Sequence, residues 1–315
     1  CKMAITTTTI SLASGYGRTD VIQQLEQGFA YLQWHQATAS GIVTGITTYS
    51  GGGDVGSATT SYYDCRQEST TGIGTGASFY IDRASDGTIP GYVLVNRPGM
   101  GYSEGPNVNS SDRLFIQAEI ISKLLQEITD EKPIVIGHSY GGALALSLAL
   151  YKEKNLKKLI LVNTASHPWK GDGVWLPFKI ITNPLIGKIF SQTYAMIYGK
   201  SVIDRSADDN FPDNKPTPGF VNRVGAELTL RPATLESYAL DAINLKSSLS
   251  KQYKKYKILS IPVTILAGIG DRVTPNKTHS FQLHKNIKHS KLIELSNVEH
   301  SIPELNPMKI IEEIQ

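Results

Sequence analysis

The strongest constraint on this chain is an apolar run interrupted by one serine-bearing turn. Pro133-Ile134-Val135-Ile136 leads directly into Gly137-His138-Ser139-Tyr140-Gly141-Gly142, and the residues from Gly141 to Tyr151 are then almost wholly apolar. The first piece has the length and β-branched content of a buried strand. The second is apolar around its whole circumference at helical period, so it must be enclosed on every side. It is too short to cross a bilayer, which takes about 20 apolar residues. A buried strand feeding a buried helix belongs to the interior of an α/β domain.

The turn between them carries chemistry. In a Gly-x-Ser-x-Gly between strand and helix, the glycines remove Cβ atoms that would clash in a tight, strained turn. The Ser139 hydroxyl is then exposed at the carboxyl edge of the sheet, over a helix N-terminus. The backbone N–H of Tyr140 points where an oxyanion would form. A glycine-rich packing turn is the plain alternative, and the strand before it and helix after it argue against that.

Further strands and helices alternate around this unit. Residues 92–95, 159–162, 262–267 and 291–295 have strand patterns, and helices are expected over 112–129, near 276–288 and from about 306, with Pro307 in a first turn. This alternation predicts a mostly parallel sheet with helices on both faces. Between Val162 and Pro262 lie 99 residues, where a crossover needs a few tens. That interval predicts a helical cap inserted between two sheet strands, covering about 166–245.

Composition changes near residue 88. Lys and Arg number 4 against 7 Asp and Glu before it, and 27 against 21 after it. The first 88 residues are rich in Thr, Ser and Gly, and the shift marks a boundary between a β-rich region of unassigned role and the α/β domain of residues 89–315. The first region carries one helix pattern, over 19–35, and strand patterns at 41–50 and 77–82. Gly72-Ile73-Gly74-Thr75-Gly76 precedes a strand pattern and lacks the helix N-terminus that a phosphate site needs, so it reads as a turn.

Three more segments complete a family resemblance. Asn96-Arg97-Pro98-Gly99-Met100-Gly101-Tyr102-Ser103 resembles the D-x-P-G-x-G-x-S loop of α/β-hydrolases. Gly268-Ile269-Gly270-Asp271-Arg272-Val273-Thr274-Pro275 resembles their acid loop, and Asn297-Val298-Glu299-His300 their histidine loop. Residues 89–315 are therefore similar to serine hydrolases of that superfamily, carboxylesterase- or lipase-like and with a cap. The resemblance implies Ser139 as nucleophile, Asp271 as acid and His300 as base, with Tyr140 in the oxyanion hole. Asn163 occupies the family's alternative acid position, which leaves Asp271 without a rival. Ser139, where haloalkane dehalogenases and epoxide hydrolases resemble it with an aspartate, argues against those two activities. Of the other histidines, His35 lies in the N-terminal helix pattern, and His279, His284 and His289 lie on or beside a predicted surface helix.

Candidate substrate-binding residues are His138, His167, Trp175 and Phe178. His138 points away from the site in family members, so packing is its alternative role. Trp175 and Phe178 belong to an aromatic-rich first half of the cap, which favours an apolar acyl or small ester group over a sugar or peptide. No metal-ligand cluster or cofactor motif is visible, and a net charge of +3 is too small to imply a nucleic-acid partner.

One departure from the family stands out. The superfamily orders its eight strands 1-2-4-3-5-6-7-8 and draws a second oxyanion amide from a His-Gly loop after the third. This chain has no His-Gly dipeptide. Residues 42–50 followed by Gly51-Gly52-Gly53 are the nearest substitute for that strand and loop. Either the first 88 residues supply strands one to three in disguise, or they are an unrelated module on a truncated hydrolase, or the chain is a composite. The composition shift favours the latter two, and with them a broken sheet between residues 92–95 and 133–136. Two functional classes follow: an ester hydrolase forming an acyl-enzyme, and a non-catalytic binding or structural protein defined by its N-terminal module. The expected location is cytoplasmic, with export or lipid anchoring through Cys1 as the alternative.

Overall fold

The computed structural model describes residues 7–11, 47–50, 59–62 and 78–82 as strands. It also describes 91–314 apart from 102, 107, 172–173, 212, 217–219 and 224–225. The helix pattern at 19–35, the glycines at 51–53 and 72–76, and both cysteines lie outside the described residues.

The strands are β1 (Thr7–Ser11), β2 (Thr47–Ser50), β3 (Thr59–Tyr62), β4 (Ser78–Asp82), β5 (Gly91–Val95), β6 (Ile134–His138), β7 (Lys158–Val162), β8 (Val263–Gly268) and β9 (Lys291–Leu295). Seven of them form one sheet in the order β1-β5-β4-β6-β7-β8-β9. β6 through β9 pair in parallel, whereas β4 is antiparallel to both of its neighbours.

The sheet is continuous where a break was expected. β4 fills the gap between β5 and β6, with Phe79 opposite Leu94 on one side and Ile136 on the other. That pairing occupies backbone groups which, left unpaired in the interior, would cost about 1–3 kcal/mol each. The expected substitute is used elsewhere: Thr47–Ser50 pairs with Thr59–Tyr62 in a separate two-stranded sheet. The direction of β4 has a simple cause. Only residues 83–90 separate it from β5, too few for the dozen or more of a parallel crossover but enough for an antiparallel return.

Both faces of the parallel part are buried, and alternate side chains feed two cores. Val135, Leu159, Leu161, Val263 and Ile265 join one core with α1 (Arg113–Ile128) and α2 (Tyr140–Lys152). Ile134, Ile136, Ile160, Val162 and Leu266 point the other way. This period-2 alternation within unbroken apolar runs is what a sheet covered on both sides requires. Every residue of α2 from Gly141 to Ala149 is buried, which fits its lack of a polar face.

Between β7 and β8 the chain forms α3 (Leu176–Ile181), α4 (Gly187–Asn210), α5 (Phe220–Arg223) and α6 (Pro232–Gln252). α6 runs without a break across residue 245. α7 (Ser280–Asn286) precedes β9, and α8 (Ile302–Leu305) and α9 (Pro307–Glu312) close the second core, with Pro307 in the first turn of α9. Among the described residues, no helix is long and apolar enough to cross a membrane.

Candidate active site

Ser139 stands between β6 and α2 at φ 53° and ψ −117°. That conformation costs a non-glycine residue about 1–3 kcal/mol and persists only where its surroundings hold it. Here they do. The Ser139 amide donates to Val162 O at 3.0 Å, and its carbonyl accepts from the amides of Gly142 and Ala165 at 3.1 and 3.2 Å. A Cβ on Gly137 would come within 2.5 Å of Gly141 O, so the turn closes only around glycine. Tyr140 is the first residue of α2, where an amide has no intrahelical acceptor.

Asp271 follows β8 and His300 follows β9, and the two meet: His300 Nδ1 donates to Asp271 Oδ2 at 2.8 Å. The other carboxylate oxygen, Oδ1, accepts the amides of Val273 and Thr274 at 2.8 and 2.9 Å. The Thr274 hydroxyl lies 2.7 Å from Oδ2. Burial raises the Asp271 pKa, but hydrogen bonding and charge from His300, with help from Thr274, outweigh it and hold the pKa at about 2. In a neutral ring, an Nδ1–H given to Asp271 leaves the lone pair on Nε2. Nε2 is buried, and among the described residues nothing hydrogen-bonds it, Ser139 included.

The histidine loop is held from beneath. Glu299 and Asn297 have φ of 33° and 60°. Asn163, also left-handed at φ 41°, spans two strands: its Nδ2 donates to Glu299 O at 2.6 Å and its Oδ1 accepts the Gly268 amide at 2.7 Å. His138 Nε2 lies 2.8 Å from His300 O and donates to it, with the two rings 4.7 Å apart. Burial, reinforced by His300, pushes the His138 pKa down to about 3, so its ring is neutral.

Ser139 and Tyr140 line a cavity of about 440 Å³. Trp169, Tyr238, Ala242 and Leu245 reach it from the insertion, Arg97 from the loop after β5, and Arg272 to Pro275 from the acid loop. Of the residues expected to touch substrate, His138, His167, Trp175 and Phe178 are not among those lining it. His167 is buried, with Nε2 2.6 Å from Asn286 Nδ2 and Nδ1 2.9 Å from Ser166 Oγ. Phe178 packs edge-on against Tyr238 at 5.5 Å, behind the cavity wall, and Trp175 packs edge-on against Phe178 and is 43% exposed.

His279, expected on or beside a surface helix, is instead buried and lines the cavity. Its Nδ1 accepts the amides of Ser166 and His167 at 3.2 and 3.3 Å. Burial lowers the pKa of both His167 and His279 to about 4. Tyr238, Arg97 and His279 went unnoticed as wall residues. Only Arg97 had a sequence signal, its place in the 96–103 loop.

Residues 91–182 match the family model described as "alpha/beta hydrolase fold". The chain has the α/β-hydrolase fold. The match covers β5, α1, the Ser139 turn, α2 and β7. YugF of Bacillus subtilis, an uncharacterized hydrolase, is 23% identical over 235 residues, covering 70% of this chain and 78% of that one. Among solved structures, 2-hydroxy-6-oxo-6-phenylhexa-2,4-dienoate hydrolase from Rhodococcus sp. strain RHA1 has a TM-score of 0.57 at 18% identity, covering 73% of this chain and 79% of that one. An esterase from Exiguobacterium antarcticum has a TM-score of 0.52 at 19% identity, covering 71% and 80%. At such identities the structural likeness is one of fold. The matched family model and the likeness to YugF make a hydrolase the expected class of enzyme.

Proposed function

We propose that this protein is a serine ester hydrolase of the α/β-hydrolase type, acting on a small ester with an apolar acyl group through an acyl-enzyme on Ser139. The observation that carries the reading is the state of His300. Its Nδ1 is tied to Asp271 at 2.8 Å, and its buried Nε2 has no hydrogen-bond partner among the described residues, which leaves it available to a proton. A serine hydroxyl is almost wholly protonated at neutral pH and needs such a base.

In this mechanism Ser139 Oγ attacks the ester carbonyl while His300 Nε2 takes its proton. Tyr140 N–H holds the oxyanion. Collapse expels the alcohol, which receives the proton from Nε2, and leaves an acyl-Ser139 ester. Water, deprotonated by Nε2, attacks that ester and releases the acid and the free serine. Asp271 keeps the imidazole in the working tautomer and stabilises its charged form. The Ser139–His300 hydrogen bond forms in the substrate complex, as catalytic hydrogen bonds left open in free enzymes commonly do. The insertion acts as a cap, a role supported by Trp169, Tyr238, Ala242 and Leu245 sharing the cavity with Ser139.

The competing reading is a non-catalytic protein, favoured by the missing His-Gly dipeptide. The glycines expected to replace it, Gly51 to Gly53, lie outside the described residues. Turnover of 4-nitrophenyl butyrate separates the two. The expected result is hydrolysis by the full chain, reduced by about 10⁴–10⁶ in Ser139→Ala. Equal rates from both proteins would remove Ser139 from the mechanism, and no hydrolysis by either would favour the non-catalytic reading.

A further inference from the structure

The wall of the Ser139 cavity contains a buried arginine with one donor left unsatisfied. Arg97, Arg113 and Asp241 are 1%, 0% and 2% exposed. Asp241 sits on α6 and receives Arg97 Nη1 on Oδ2, and on Oδ1 Arg113 Nε at 2.5 Å and Gln117 Nε2 at 2.7 Å. Asp241 is the one carboxylate paired with either arginine among the described residues. Two guanidinium groups therefore share one carboxylate in the interior.

The unsatisfied donor is on Arg97. Each nitrogen of Arg113 is engaged, by Asp241 and by the carbonyls of Pro106, Val108 and Ser237. Arg97 has its cation 4.1 Å from the centre of the Tyr140 ring and one nitrogen on Asp241, while its buried Nε–H has no partner. Arg97 and Asp241 both line the cavity with Ser139. A buried donor without an acceptor is destabilising, more so when it carries charge. A cavity wall is where a bound anion can supply the missing acceptor.

We propose that Arg97 binds a carboxylate at the far end of an otherwise apolar acyl chain, so that the ester cleaved at Ser139 is an anionic one: a monoester of a dicarboxylic acid. The carboxylate accepts from Arg97 Nε–H, and the aliphatic chain lies along Ala242, Leu245 and Val273, with the ester at Ser139. The position of the cleaved bond rests on the reading of Ser139 as nucleophile. The recognition of charge does not, and it is tested by binding.

The Ser139→Ala protein is titrated by calorimetry with monomethyl adipate and with dimethyl adipate, which differ by one charge. The monoester is expected to bind at least about tenfold more tightly, the contribution of a charge-assisted hydrogen bond. That preference is expected to disappear in Arg97→Gln on the same background and to be partly kept in Arg97→Lys. Equal affinity for the two esters, or binding of neither, would overturn the proposal whether or not the Arg97 variants fold. Turnover by the unsubstituted chain separates this failure from failure of the serine mechanism. Equal hydrolysis of both esters retains the nucleophile and rejects the anion subsite. Tight monoester binding without turnover retains the subsite and rejects the nucleophile.

Discussion

Asn163 donates through Nδ2 to the carbonyl of Glu299, the residue before His300, at 2.6 Å. The same side chain receives the Gly268 amide, so it ties the strand that leads to Asp271 to the loop that carries His300. Asn163→Ala would leave a buried amide and a buried carbonyl unsatisfied. A stability loss of about 1–3 kcal/mol is expected for each, read as a lower urea midpoint with an unchanged slope. A midpoint within error of the parent would show that the two loops hold together without Asn163.

Removing the base and disturbing its orientation have different expected costs. His300→Ala is expected to reduce ester turnover by about 10⁴–10⁶, and Asp271→Asn by about 10⁴ because it stabilises the wrong imidazole tautomer. Initial rates on 4-nitrophenyl butyrate, with circular dichroism as a check on folding, measure both. A variant keeping more than about a tenth of the activity, far outside that range, would lose its assigned role.

Three buried histidines make stability depend on pH. His138 is held at about 3, and His167 and His279 at about 4, by burial in each case. The unfolded chain therefore binds protons below about 6.5 that the folded chain refuses. Their contribution is fully present above that pH and is lost as pH falls toward 4. The urea midpoint is expected to drop between pH 7 and pH 5.5, a range above most carboxylate titrations. Asp271, held at about 2, has the same sign at lower pH: its contribution is present above about 4 and disappears as pH falls to 2. A flat midpoint from pH 7 to 5.5 would contradict the neutral burial of the histidines.

Acyl-chain preference should follow the cavity wall and not the exposed surface of the insertion. Tyr238→Ala removes a wall residue, whereas Trp175→Ala trims a side chain that is 43% exposed and off the wall. The ratio of kcat/KM between short and long acyl esters is expected to change by about tenfold or more in Tyr238→Ala, since one methylene of pocket contact is worth about 1–3 kcal/mol. It should stay near the parent value in Trp175→Ala. The reverse pattern would move the acyl site under α3.

Much of this architecture was readable because its signals are local. The Ser139 turn is flanked by an apolar strand and a helix with no polar face, and no other packing satisfies both. Asp271 and His300 each follow a short apolar strand, and their meeting follows from parallel neighbours ending at one sheet edge. What stayed hidden depends on pairing across the chain. Ser78–Asp82 and Thr47–Ser50 are both short β-prone runs, and only pairing with β5 and β6 distinguishes the strand that completes the sheet from the one that does not. Arg97 and Asp241 are far apart in sequence and meet because α6 returns from the insertion. His279 lies just before α7, where no periodic pattern marks it as inward.

The central claim is that Ser139 is an activated nucleophile, and a fluorophosphonate probe tests it most directly because labelling requires a serine whose proton can be taken. The full chain is incubated with the probe, digested and read by mass spectrometry. The expected result is one phosphonylated peptide carrying the label on Ser139, with labelling abolished in Ser139→Ala and strongly slowed in His300→Ala. An unlabelled chain, or a label that persists in Ser139→Ala, would contradict it.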